Sequence, residues 1–247
     1  MKFYVLASGS KGNCTVIQSG ESTIVIDAGT TDRHLKASFK EINIDYKNVD
    51  ALLITHTHSD HINRINLFKD ITMYTPEFLG DKYRQKPLYG EDQFQIKDFE
   101  IETMTLSHDR ALTLGYIIKS NNQKLVYVTD TGYFKDNHLE AIYNADYYIF
   151  ESNHDPMMLM ETDRPFILKQ RIMAMDGHLS NEDSGLVLSR SVGTHTKEIV
   201  LAHLSEEAND HHLALQSMRE HIYDEKIIIK AAKQFEILYG GQNNDER

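Results

Sequence analysis

Short apolar runs recur along the chain, and most of them stop on a polar residue able to do chemistry. Met1 to Ser8, Thr15-Val16-Ile17, Thr23-Ile24-Val25-Ile26 and Ala51-Leu52-Leu53-Ile54 read as strands in the first quarter. Ile71-Thr72-Met73-Tyr74, Phe94-Gln95-Ile96, Phe99-Glu100-Ile101 and Glu102 to Leu106 continue the series, with polar turns between them. Gly115 to Ile118 and Lys124 to Thr129 form a predicted hairpin. Asp146 to Phe150, Ile199 to Ala202, Ile227 to Ile229 and Phe235 to Leu238 complete the strands. Helical patterning is confined to Arg33–Phe39, Ile167–Ile172, a segment running from a Ser180/Asp183 cap to Ser189, and a segment after Ser205 with Glu206 and Glu207 in its first turn. Strands alternating with helices in this way predict an α/β fold.

The strand ends carry the chemistry. Directly after Ala51–Ile54 stands His56-Thr57-His58-Ser59-Asp60-His61. His56 and His58 are two residues apart, so extended chain puts them on one side, and Asp60 and His61 follow at the turn. Histidine and aspartate are also ordinary turn residues, but three imidazoles and a carboxylate in so short a stretch read as a metal site. Asp27, His108, Asp130, Glu151 and His203 also fall where a strand hands over to a loop, so one edge of the sheets would collect them. Asp27 would orient a ligand histidine or cap the next helix. Ser8-Gly9-Ser10-Lys11-Gly12-Asn13 has the small residues of an anion cradle, with a plain hairpin turn as the alternative. Lys169 and Arg171 could meet flanking phosphates or simply form a charged helix face.

Composition narrows the setting. At 247 residues the chain can bury a full core, and no repeat divides it; residues 1–240 read as one domain and 241–247 as a solvated tail. Cys14 is the sole cysteine, which excludes an internal disulfide or a cysteine-based zinc site and fits a reducing cytoplasm. The apolar stretch at Met1–Ser8 is shorter than the ~7–15 residues of a signal peptide's core, and no run approaches membrane-spanning length. A net charge of −11 disfavours broad, non-specific nucleic-acid binding. It leaves room for a nuclease whose acidic cleft is reversed in sign by bound cations.

With those residues in view, the chain resembles the metallo-β-lactamase fold superfamily, in which a His-x-His-x-Asp-His motif is followed by further His, Asp and His ligands. Ser8-Gly9-Ser10-x-Gly12-Asn13, Thr129-Asp130-Thr131-Gly132, Glu151-Ser152-Asn153-His154 and Gly177-His178-Leu179-Ser180-Asn181 resemble more narrowly its WalJ/YycJ branch. That bacterial group is regarded as DNA exonucleases, akin to ribonuclease Z and cyclic phosphodiesterases. One departure is Ile62-Asn63 after His61, where relatives place Gly-Leu. The resemblance implies a four-layer αββα sandwich holding two divalent metal ions, zinc suiting the donors best and manganese or iron also fitting. His56, His58 and His108 would hold the first ion, Asp60, His61 and His203 the second, with Asp130 bridging. A bridging hydroxide would attack phosphorus, and Glu151 with His178 would protonate the leaving oxygen. Cleavage of DNA from a 5′ end is expected, with Ser8, Gly9, Ser10 and Asn13 at the terminal phosphate. His178 as a mere helix cap is the alternative to its catalytic role.

Other classes are weighed against that reading. RNA processing or hydrolysis of a small cyclic or nucleotide diester would use the same centre. A thioester or lactam hydrolase would too, but glyoxalase-type relatives add a helical domain for which too little chain follows His203, and secreted lactamases carry an export signal. Redox di-iron relatives place Glu where this chain has His58. A metal-free regulatory protein would show a broken ligand set, and none of the expected ligands is missing here. DNA is thus the expected partner and a membrane is not; the sequence carries no signal for an oligomeric state.

Overall fold

The computed structural model describes residues 1–241. Strands β1 (Lys2–Ala7), β2 (Cys14–Ser19), β3 (Ser22–Ile26), β4 (Ala51–Leu53), β5 (Met73–Thr75) and β6 (Gln85–Pro87) form one sheet, with β14 (Leu238–Gly240) at the edge beside β1. The second sheet runs in sequence order from β7 (Gln93–Ile96) and β8 (Phe99–Leu106) through β9 (Thr113–Ser120), β10 (Gln123–Val128), β11 (Tyr147–Glu151) and β12 (Glu198–Ala202) to β13 (Ile228–Ala231). Each sheet begins antiparallel and turns parallel, at β3/β4 in the first and β10/β11 in the second.

Side-chain alternation builds the layers. In β3, Ile24 and Ile26 join the core between the sheets while Val25 points outward to Leu35 and Phe39 of helix α1 (Asp32–Glu41). Leu53 and Leu52 of β4 divide in the same way. On the other side, Val126, Phe150 and Leu201 pack under Leu188 of α6 (Asn181–Ser191) and Met218 of α7 (His211–His221), while Leu125, Ile149 and Val200 face inward. Strands buried on both faces need a helix layer on each outside, which yields the αββα sandwich.

Local signals decide the ends. Thr31 accepts the His34 amide to open α1, and Ser180 accepts the Asp183 amide to open α6; a cap of this kind contributes about 1 kcal/mol. Short helices α2 (Ser59–Ile62), α3 (Leu139–Ile142), α4 (Pro156–Glu161) and α5 (Phe166–Ile172) fill the connections. At the Ile62-Asn63 pair, Ile62 packs on the outer core beside α1 and the Asn63 amide closes α2 onto the Ser59 carbonyl. Two expectations are corrected. Ser205 caps only a turn, accepting the Ala208 amide, and α7 starts at His211 because Asp210 accepts the amides of both His212 and Leu213. The last strand is Leu238–Gly240 rather than a run from Phe235; Lys233 and Glu236 pair across a tight turn before it. Gly241 is buried and its amide donates to Glu198, while residues 242–247 of the expected tail lie outside the described residues.

The parallel strands β3, β4, β10, β11 and β12 all finish at the same side of the sandwich, and β8 runs with them. Three residues just beyond these ends take left-handed backbone: Asp27 (φ 60°), Asp130 (φ 60°) and His203 (φ 57°). Each such non-glycine residue costs of order 1–3 kcal/mol unless its surroundings hold it. For His203 the hold is visible: its amide donates to Ser8 Oγ at 2.7 Å and its carbonyl accepts from Asn153 Nδ2 at 2.7 Å.

Candidate metal centre

The turn from His56 to His61 is stitched into its neighbours through the backbone. The Asn13 amide donates to the Asp60 carbonyl at 2.8 Å, the Ala28 amide to the His61 carbonyl at 2.7 Å, and the Arg64 amide to the Ala28 carbonyl at 2.7 Å. Gly29 lies so close that an added Cβ would sit 1.5 Å from the Asp60 carbonyl oxygen. Only glycine fits there.

Four of the imidazoles, those of His56, His61, His108 and His203, are oriented by a hydrogen-bond partner on the outer nitrogen. Asp27 accepts the Thr55 amide (2.9 Å) and hydroxyl (2.8 Å) and lies 2.7 Å from His61 Nδ1. With both Thr55 groups donating, Asp27 stays an acceptor, so the shared proton sits on His61 Nδ1 and Nε2 faces inward. The Thr55 hydroxyl, its hydrogen committed to Asp27, accepts from His56 Nδ1 at 3.1 Å. His108 Nδ1 donates to the Gly177 carbonyl at 3.1 Å and His203 Nδ1 to Glu151 Oε1 at 3.0 Å. His58 is turned the other way. Its Nδ1 faces the centre and its Nε2 lies 3.3 Å from Asp109 Oδ1.

The inward nitrogens His56 Nε2, His58 Nδ1 and His108 Nε2 form one cluster, with separations of 2.9 Å and 3.3 Å from His58 to the other two. Asp60 Oδ2, His61 Nε2 and His203 Nε2 form a second, with separations of 3.4 Å and 3.8 Å from Asp60. A tetrahedral zinc with Zn–N bonds of about 2.0–2.1 Å separates its nitrogen ligands by about 3.3–3.4 Å, so both clusters have the span a cation needs. Asp130 lies between them, Oδ2 at 3.3 Å from His61 Nε2 and Oδ1 at 3.7 Å from His108 Nε2. Asp130 Oδ2 and His203 Nε2 are buried with no hydrogen-bond partner among the described residues, an arrangement that costs free energy unless a cation takes their lone pairs. The residues therefore fit divalent metal ions.

Titration in this cluster follows the carboxylates. Burial opposes charge on His203, yet Asp130, Asp60 and Glu151 push its pKa up to about 10. Burial likewise opposes His61, and Asp130 and Asp27 raise it well above the imidazole range. His56 is driven down by its burial and by the neighbouring His61 charge, against the pull of Asp130, and stays neutral. Glu151 is wholly buried, which would raise its pKa, but His178 and His203 hold it at about 2. Its Oε2 accepts the amides of Thr131 (2.9 Å) and Leu179 (3.2 Å), and its Oε1 lies 2.8 Å from His178 Nδ1. That commitment makes Glu151 a hub for two imidazoles.

A cleft of about 490 Å³ opens over the centre, lined by Ser10, His58, Asp60, His108, Asp130, His178 and His203 and also by Arg164, Leu168, Arg171 and Ile172 with the acids Asp109, Asp176 and Glu207. Of the expected substrate contacts, Ser10 and Arg171 reach it, and Arg171 pairs with Asp109 across its mouth. The others point elsewhere. Lys169 is buried and donates to the carbonyls of Met160 and Thr162, satisfying the end of α4. Ser8 holds His203, and Asn13 is buried with its Nδ2 3.1 Å from His61 Nε2 and 3.3 Å from Asp60 Oδ2. The loop is no anion cradle: the amides of Gly9, Lys11, Gly12 and Asn13 go to Asn13 Oδ1, Gln234 Oε1, the Gly9 carbonyl and the Asp60 carbonyl. Sequence reasoning gave no role to Thr55, Asp109 or Arg164. Thr55 and Asp109 stand beside ligand histidines, a signal that could have been followed; nothing marks Arg164.

Residues 22–204 match the model of the beta-lactamase superfamily domain. The chain is 35% identical to exodeoxyribonuclease YycJ of Bacillus anthracis, covering 92% of this chain and 90% of that one, and 34% identical to exodeoxyribonuclease WalJ of Streptococcus pneumoniae, covering 88% and 86%. Among solved structures it resembles the metallo-beta-lactamase fold protein YhfI from Bacillus subtilis, with a TM-score of 0.74 and 17% identity over 97% of this chain and 99% of that one.

Proposed function

The chain belongs to the beta-lactamase superfamily, and from that footing we propose that it is a dinuclear exonuclease that degrades DNA from a 5′ end. More broadly it is a metal-dependent hydrolase of the nuclease and phosphodiesterase class, and its substrate is a nucleic acid. The observation that supports the finer reading is the buried Asp130 carboxylate placed between two donor clusters, with Oδ2 facing His61 Nε2 at 3.3 Å and making no hydrogen bond among the described residues.

His56, His58 and His108 would hold one cation and Asp60, His61 and His203 the other, with Asp130 shared. Nitrogen-rich sets of this kind suit zinc, and manganese or iron also fit. Two cations bound there would supply Lewis-acid stabilisation of the phosphate and a water acidic enough to attack near neutral pH. Everything else falls to side chains. Asp27, Thr55 and Glu151 fix the tautomers of the ligand rings. Glu151 anchors His178 through Nδ1, which directs Nε2 as the ring's free atom, and His178 lines the cleft. Protonated, Nε2 would give its proton to the departing oxygen. Arg171 and Ser10 would contact flanking phosphate oxygens. The single cysteine is buried, consistent with the proposed cytoplasmic setting, and no helix among the described residues is long and apolar enough to cross a membrane.

Purified protein of known metal content, incubated with end-labelled duplexes, tests this. Mononucleotides should appear first from the 5′ label. With only a few phosphate contacts in a chain of net charge −11, affinity should fall shallowly with salt. Metal-replete protein that spares DNA yet cleaves RNA or a cyclic nucleotide would leave the phosphodiesterase class standing and remove the exonuclease.

A further inference from the structure

Helix α5 is inside out. Its buried residue is the cation Lys169, whereas Phe166, Ile167 and Leu168 are 60%, 70% and 42% exposed. The inversion has a visible cause: the Lys169 ammonium reaches back to the Met160 and Thr162 carbonyls at 2.6 Å and 2.7 Å, which turns the apolar side chains outward. Met173 and Met175 just beyond the helix extend the same exposed surface. Of sixteen exposed large hydrophobic residues in the described chain, seven fall between residues 157 and 175. Single exposed apolar residues need no explanation, but a concentration like this marks a contact surface.

Its position indicates what covers it. Leu168 and Ile172 belong both to this segment and to the lining of the metal cleft, which Arg164 and Arg171 also line. Both arginines are ion-paired, with Glu207 and Asp109, which line the same cleft, so a substrate phosphate would take them by displacing those carboxylates. Any body seated on the apolar face overhangs the cleft and would obstruct a polymeric substrate, unless that body is the substrate. Apolar and aromatic faces beside cations are what unpaired nucleotides need, bases on the former and phosphates on the latter.

Building on the nuclease reading, we infer that the exposed face of α5 and the methionines after it form a stacking platform for unpaired bases next to the scissile bond. The substrate engaged at the centre is then a single-stranded end. Methionine suits this role, since its flexible polarizable side chain adapts to any base.

The test compares metal-loaded wild type with the Phe166→Ser/Ile167→Ser double variant, and with Tyr223→Ser as a control because Tyr223 is 85% exposed and lies after α7, outside the platform segment. The probes are a 5′-phosphorylated single-stranded oligonucleotide with phosphorothioate linkages and a blunt duplex of the same sequence. The double variant should bind the single strand about 10-fold or more weakly, as expected for losing stacking on one or two bases, and the duplex within about 2-fold of wild type. Metal content and melting temperature should not move, since both side chains are solvent-facing, and Tyr223→Ser should bind as wild type. Unchanged single-strand affinity, or an equal loss on duplex, overturns the platform. So does a wild-type dimer that the double variant converts to monomer, which would assign the face to a second copy. Hydrolysis of bis(p-nitrophenyl) phosphate by wild type separates the two levels: if present while the platform fails, the phosphodiesterase reading survives; if wild type attacks neither this diester nor DNA, both fall.

Discussion

Glu151 Oε1 lies 2.8 Å from Nδ1 of His178, and the same oxygen lies 3.0 Å from Nδ1 of His203. One buried carboxylate thus anchors both a ring assigned to the metal centre and a ring assigned to proton transfer. Changing His178 to Ala should lower kcat by about 10²–10⁴ with metal content unchanged, because the lost group acts chiefly in the transition state. Glu151→Gln should lower kcat and also weaken metal binding by about 10–100-fold, since a carboxamide cannot accept both from the two imidazoles and from the Thr131 and Leu179 amides, and it brings no charge. Elemental analysis alongside steady-state kinetics distinguishes the pair. Loss of metal from His178→Ala would make that ring a ligand, and an unchanged rate would reduce it to a structural role.

Asp130 is the one carboxylate shared by the two donor clusters. Wild-type protein should retain two ions per chain, and Asp130→Asn should lose occupancy at both positions together with activity. Mass spectrometry of the native protein reads this stoichiometry. A single ion at saturating metal, with a nearly harmless Asp130→Asn, would rule out a dinuclear centre.

Without metal, His61 and His203 bind protons tightly because they face Asp130, Asp60, Asp27 and Glu151. A histidine whose folded pKa is raised above its unfolded value of about 6.5 stabilises the fold fully below that value and loses the effect as pH climbs through the folded pKa. For His203 that window runs up to about 10. Chelated protein should therefore lose melting temperature as pH rises across this window. Cations bound at the centre would take Nε2 in place of protons, so metal uptake should release protons and tighten with pH. Calorimetry in buffers of different ionisation enthalpy measures the release, and uptake with no proton exchange would contradict the assignment.

Asp109 Oδ1 is buried without a hydrogen-bond partner, 3.3 Å from His58 Nε2, and the opposite oxygen pairs with Arg171. Asp109→Asn should weaken metal affinity by about 10-fold through a less firmly held His58. The same change should free Arg171 and tighten binding of a non-cleavable oligonucleotide. Competition with a metallochromic chelator and fluorescence anisotropy read the two effects separately. Movement of neither would leave Asp109 as a bystander at the cleft mouth.

The clustering of these histidines and carboxylates was legible because they obey one local rule: each follows an apolar run that the fold ends at a common edge. His108 and His203 needed only the strand before them to be recognised. The Ser8–Asn13 loop misled because the groups that take its amides, Gln234 and the Asp60 carbonyl, lie far away in sequence. Lys169 misled for a related reason. Its helix leaves Phe166, Ile167 and Leu168 exposed, and the carbonyls of Met160 and Thr162 draw the ammonium inward, which no periodicity announces. At Ser205 a sound local cap signal lost to a stronger one, Asp210, which satisfies two amides at once.

The contact between Gly29 and the Asp60 carbonyl means that the hexapeptide from His56 to His61 is not a portable cassette. Its shape is moulded by the backbone of residues 13, 28 and 64, and by a glycine that leaves no room for even a methyl group. Grafted onto another scaffold, the six residues would bring the right atoms and none of the seat. A transplant would have to carry the ends of β1, β2 and β3 with it.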